Sequence, residues 1–198
     1  AHYDHIGISF DGKINNGAND DGSGTVTVME LAEAFGQAAA EGKRPRRSIL
    51  FMTVTGEEKG LLGSEYYSNH PLFPLANTVC DLNIDMVGRR DVDHDETPDY
   101  IYEIGSDKLS SSLRAVLEDQ NKKHTGLVLD YKYNDPNDPN RFYYRSDHYN
   151  FAKHGIPVAF FFNGVHDDYH MPGDDVEKIE FDQIQKVGRL VFYMAWEI

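Results

Sequence analysis

Two adjacent carboxylates, Glu57 and Glu58, directly follow the apolar run Ser48-Ile49-Leu50-Phe51-Met52-Thr53-Val54. Such a run predicts a buried strand, and a turn carrying Gly56 and Gly60 then starts a helix. The acid pair therefore falls at a strand's carboxyl end, the edge where open α/β sheets keep their sites. Neighbouring side chains there point apart, so one carboxylate can bind a metal while the other faces a water as general base. The competing reading is a helix whose first turn carries acids that suit its dipole.

Residues of matching chemistry recur along the chain. His2 and Asp4 are two apart, and in a strand such residues share a face, the arrangement of a metal-bound imidazole with a carboxylate behind it. A lone histidine near a chain start is otherwise a surface residue. Asp20 and Asp21 sit in the polar, glycine-rich loop Asn15 to Gly24 just ahead of a helix, either as an N-cap or as a carboxylate presented to a metal. Asp85 closes the strand-like run NTVCDLNID, as a ligand or as a loop cap, and His170 lies in the polar segment GVHDDYHMPGDD. Three carboxylates and two imidazoles are too few for two separate four-coordinate zinc sites. They suffice if one carboxylate bridges two metals and water fills the gap.

The elements that must position these residues alternate. Helices are expected over Thr25 to about Gly42 (Val28, Leu31, Ala32 and Phe35 inward), Leu61 to Asn69, Asp107 to His124 (capped by Asp107, with Leu109, Leu113, Val116 and Leu117 inward), Ser146 to His154, and Phe181 to about Trp196. Strands are expected over residues 1–10, 48–54, 77–85, 99–104, 126–131 and 156–162. The fold class is α/β, a three-layer α/β/α arrangement with a mainly parallel mixed sheet and helices on both faces.

Composition narrows the partners. The 198 residues suit one domain, and a net charge of -14, from 33 acids against 19 bases, argues against nucleic acid or an anionic membrane surface. Cys80 is the only cysteine, so neither an internal disulfide nor a cysteine zinc site can be built. No run is long and apolar enough to span a membrane. The chain opens on Ala1-His2 without methionine, which reads as a mature or trimmed fragment that has lost a leader.

In order, AHYDHIG, NGANDDGSG, RSILFMTVTGEEKGLLGSEYY, LNIDMVGR, YRSDHYNFAKHGIP and DDYHMPGDD resemble the successive motifs of the dinuclear zinc aminopeptidases, the bacterial secreted leucine aminopeptidase family related to glutamate carboxypeptidases and glutaminyl cyclases. The resemblance spans nearly the whole chain. It implies a single zinc-peptidase catalytic domain over residues 1–198, zinc-peptidase/phosphorylase-like in fold, lacking that family's N-terminal segment. It implies two Zn2+ ions, with Asp20 bridging, His2 and Asp85 completing one site, and Glu58 and His170 the other. Glu57 would be the general base, Asp4 the carboxylate holding His2, Tyr143 the oxyanion donor, and Asp20-Asp21 a cis peptide. The implied reaction is removal of the N-terminal residue from a peptide with a free N-terminus by a bridging hydroxide, in a secreted or periplasmic setting.

Three other functions fit the pattern less well. A carboxypeptidase or dipeptidase of the same fold would need a cation for the substrate carboxylate, for which Arg89, Arg141 and Arg145 are available. A non-catalytic binding module would be expected to have lost ligands or the base, and a calcium-binding domain would not use histidines.

Overall fold

The computed structural model describes residues 1–97 and 99–198. A short antiparallel hairpin, β1 (Gly7–Ile8) and β2 (Ile14–Asn15), precedes helix α1 (Gly24–Ala40). Then come α2 (Leu62–Asn69), β3 (Asp81–Ile84), β4 (Tyr100–Ile104), α3 (Leu113–His124), β5 (Val128–Asp130), α4 (His148–Ala152), β6 (Val158–Phe162) and α5 (Phe181–Glu197). The main sheet runs β3-β6-β4-β5, with β3 parallel to β6, β4 parallel to β5, and β4 antiparallel to β6. It is the mixed sheet expected, with a single reversal at its centre.

Both faces are covered, as the unbroken apolar composition of the central strands requires. Along β6 alternate side chains go to opposite faces. Ala159 and Phe161 join Leu31 of α1, Leu117 of α3 and Val187, Leu190 and Met194 of α5 in one core, while Val158 packs with Phe151 and Ala152 of α4 beneath Tyr67 of α2. The stripe expected on the last helix, Ile184, Val187, Leu190, Val191 and Met194, is buried throughout.

Three elements differ from expectation. The strand expected over residues 1–10 is reduced to Gly7–Ile8 and an isolated bridge at His2. Residues 48–53 do not join the sheet; only Val54 bridges to another segment, His2, in parallel, and Leu50 is about half exposed. The run is apolar enough for a strand, but no ladder partner flanks its first six residues, so it stays extended and half-buried. The third helix begins at Leu113 rather than Asp107. Asp107 instead pairs with Arg114 at 2.6 Å, Leu109 is exposed, and the Ser110 hydroxyl receives the Ser112 and Leu113 amides. Serines that bond nearby amides compete with helix formation, which accounts for the late start.

Candidate metal centre

The site forms where the 1–5 segment, the loop before α1, the turn after Val54, the end of β3 and the loop after β6 converge. Bridging with Val54 fixes the first of these: Tyr3 donates to the Val54 carbonyl at 2.9 Å and Val54 to the Ala1 carbonyl at 3.1 Å. His2, now buried, turns its Nδ1 to the Asp4 carbonyl (3.0 Å) and carboxylate (3.7 Å). Its Nε2 is thereby aimed at Asp20 Oδ1 (3.3 Å), Asp85 Oδ2 (3.7 Å) and Glu57 Oε2 (3.8 Å). Asp4 Oδ1 also accepts the Glu57 amide at 3.3 Å, so one carboxylate ties the imidazole to the acid pair.

Asp20 faces both ways. Its Oδ1 addresses His2, and its Oδ2 lies 3.1 Å from His170 Nε2. The Asp20-Asp21 peptide is cis, and buried Asp174 holds the loop by accepting the amides of Asn19 and Asp20 at 3.0 to 3.1 Å. Glu58 places Oε2 3.2 Å from His170 and Oε1 2.9 Å from His5 Nδ1. Asp85 Oδ2 accepts the Ser146 hydroxyl at 2.7 Å, and that hydroxyl accepts from Asn83 at 2.9 Å. Met86, beside Asp85, and His170 both have positive φ, 54° and 57°. Non-glycine residues adopt this region rarely and at a cost, and here it sets two donors toward one cleft.

The ligating atoms form two groups within 4.8 Å, His2-Asp21-Asp85 and His5-Asp20-Glu58. Asp21 is already spent: Oδ1 accepts the Gly24 and Met86 amides, and Oδ2 the His2 amide. Gly24 must be glycine for this, since a Cβ there would lie 2.4 Å from Asp21 Oδ1 and from the Ile84 carbonyl oxygen. Asp20 has no such partners for its oxygens, so it fits the shared position between the groups.

The residues present fit divalent metal. Asp85 Oδ1 and Glu58 Oε1 are buried without a directed hydrogen bond, as are both ring nitrogens of His5. Imidazoles and carboxylates without thiolate suit zinc among the common ions. Electrostatics point the same way. Burial and then the Asp85 charge push the Glu57 carboxyl up to about 9. Burial pushes Asp85 up to about 6, against the pull of His2, and contacts with Asp20 and Glu58 raise His170 to about 9. Carboxylates crowded out of water in this way favour a cation among them.

Of the expected ligands, Asp20, Asp85 and His170 line one cleft with Glu57, while His2 and Glu58 sit against them, His2 on Asp20 and Asp85 and Glu58 on His170, with Asp4 behind His2. Tyr143 does not line it. Its ring sits against Tyr144, His148 and Tyr149 with the Lys108 ammonium 4.9 Å from its centre. The tyrosine lining the cleft is Tyr169, stacked on His170 at 3.9 Å. Tyr169, His5, Asp174 and Ser146 were not singled out from sequence as parts of the site. All four neighbour singled-out residues in the chain or lie within the same motifs, the one signal that could have found them.

The sequence matches peptidase family M28 over residues 1–195. The chain belongs to peptidase family M28. Aminopeptidase YwaD of Bacillus subtilis is 29% identical across the whole chain, which spans 40% of that protein, and a probable leucine aminopeptidase of Arthroderma benhamiae is 28% identical, with 52% of its length spanned. The crystal structure of BSAP, a zinc aminopeptidase from Bacillus subtilis, superposes with a TM-score of 0.74 at 28% identity, covering 99% of this chain and 44% of that one. The chain therefore spans about half or less of these M28 relatives. Among the described residues no helix is long and apolar enough to cross a membrane.

Proposed function

We propose that residues 1–198 form the catalytic unit of a zinc aminopeptidase that removes the N-terminal residue of peptides with a free N-terminus. The observation that carries this reading is Asp20, whose two oxygens address His2 at 3.3 Å and His170 at 3.1 Å, with Glu57 alongside and not committed to either group. His2 and Asp85 would hold one zinc ion and Glu58 and His170 the other, with Asp20 shared. When bound, the two ions supply Lewis-acid polarisation of the substrate carbonyl and acidify the attacking water.

The remaining work falls to the chain itself. Glu57, partly buried and with its carboxyl pushed up to about 9, is suited to accept a proton on Oε2 and return it to the leaving amine. Asp4 fixes the His2 ring so that Nε2 faces the cleft. Tyr169 lines the cleft, where its O–H would serve as a donor that stabilises developing oxyanion charge. Acidic residues around the substrate amine favour its charged form. Names and folds of the M28 relatives support this reading, and the secreted or periplasmic setting implied by the motif resemblance is part of the proposal.

Elemental analysis combined with a panel of aminoacyl-nitroanilides and their amino-blocked counterparts tests it. About two zinc per chain with cleavage of unblocked substrates only is the expected result. Zinc with cleavage of blocked substrates would sink the aminopeptidase assignment, and absence of metal binding would sink the metal centre.

A further inference from the structure

We propose that Arg145 recognises a carboxylate carried by the substrate, making acidic peptides, or peptides ending just beyond the scissile bond, the preferred class. The inference rests on the peptidase reading above and adds a substrate class to it. Arg145 lines the same cleft as Asp20, Glu57, Asp85 and His170, and is the only lysine or arginine among the described residues that does. One guanidinium nitrogen donates to the Tyr169 hydroxyl at 3.2 Å, and the guanidinium carbon lies 4.8 Å from the centre of the buried Phe142 ring. These contacts hold the planar fork in place and lower the entropy lost on binding.

No carboxylate answers it. Among the described residues Arg145 makes no ion pair, although acids outnumber bases 33 to 19. Of the other two candidate arginines, Arg89 is consumed by Asp168 at 2.8 Å, which Lys178 also contacts at 2.8 Å, and Arg141 lies over the Tyr144 ring and does not line the cleft. The cleft's own carboxylates, Asp20, Glu57 and Asp85, make no ion pair with it: Asp85 accepts from Ser146, and Asp20 and Glu57 face His2. The N–H donors left on Arg145 match a carboxylate in two-pronged geometry. Met86, Phe160, Phe162 and Val165 supply apolar wall for the stem that carries such a group. Away from the metal ligands, this unpaired cation marks a place in the cleft where an anionic group is attracted rather than repelled.

Two sources of carboxylate are separable. Glutamyl- against glutaminyl-nitroanilide varies the side chain of the residue released, and Leu-Leu against its C-terminal amide varies the terminal carboxylate. In wild type, one pair should favour its acid, and Arg145→Ala should lower that pair's acid-to-amide ratio of kcat/KM by roughly tenfold or more. The responding pair names the source, and Arg145→Lys should restore part of the ratio. Equal losses on all four substrates would overturn the proposal and leave Arg145 as a support for Tyr169. If wild type hydrolyses none of them, the peptidase reading fails instead. Calorimetric titration of Glu57→Gln protein with Leu-Leu, its amide, and the free amino acids glutamate and glutamine then decides independently of turnover. Tighter binding of an acid that Arg145→Ala abolishes upholds the inference, and indifference to the acid overturns it.

Discussion

Glu103, fully buried, and Glu57, partly buried, are glutamates whose carboxyls sit far above their ordinary range, yet their surroundings are opposite. Glu103, on β4, has its needs met: Oε1 accepts the Ser106 amide at 2.9 Å, Oε2 the Ser106 hydroxyl at 2.6 Å, and Arg114 lies 3.8 Å away. Burial still lifts it to about 7, against those stabilising contacts. Glu57 is raised to about 9 by burial and by the negative charge of Asp85, and it faces the cleft. A raised carboxyl is therefore not in itself a mark of catalysis. What separates the two is whether the surroundings complete the group or leave it facing a site.

That contrast can be broken most directly at Glu57. Glu57→Gln should lower kcat by about 10²- to 10⁴-fold while metal content holds, because a neutral isostere cannot take the proton. Near wild-type turnover would place Glu57 with Glu103 among structural groups. Next in size, Tyr169→Phe should cost about 10²- to 10³-fold in kcat, the effect of one oxyanion donor, whereas Tyr143→Phe should stay close to wild type because its ring lies outside the cleft. The reverse order would restore Tyr143 to the mechanism.

Chelation sharpens the comparison on the stability side. Removing metal should abolish turnover and lower unfolding free energy by roughly 3 kcal/mol per ion when metal had stood at about a hundredfold excess over Kd. Denaturant melts with and without chelator measure this, and identical midpoints would speak against a metal held by these ligands. The smallest effect belongs to Glu103. Because folding raises its pKa, its contribution to stability is fully present below about 4.5 and is lost as pH climbs through about 7. Relative to wild type, Glu103→Gln should gain up to about 3 kcal/mol between those limits, at roughly 1.4 kcal/mol per unit. A flat difference across that range would remove Glu103 as a titrating group.

Much of the site was legible because its residues carry their chemistry in their type. Glu58 and Asp85 stood out as carboxylates at the ends of apolar runs, His2, Asp20 and His170 as imidazoles and a carboxylate in motifs of matching chemistry, and the structure gathers all five around one cleft. Helix α5 was equally legible, since one apolar stripe at helical spacing meets the core without interruption. Residues 48–54 were not, because apolar composition records a wish to be buried and says nothing of which strand lies alongside. Which tyrosine lines the cleft was not legible for a related reason: Tyr143 and Tyr169 are both aromatic neighbours of a motif, and only the path of the loop decides.

The sequence by itself determined the donor set, the alternation of strands and helices, and the M28 motifs, because these depend on residue type and local spacing. Tertiary structure alone decided the division of labour between neighbours. It spent Asp21 on three backbone amides and left Asp20 open, completed Glu103 while leaving Glu57 facing the cleft, and brought Arg145 to that cleft without an acid to meet it. Some of these contacts are local, as Ser106 with Glu103, but others join residues as much as 65 positions apart, which no local pattern records.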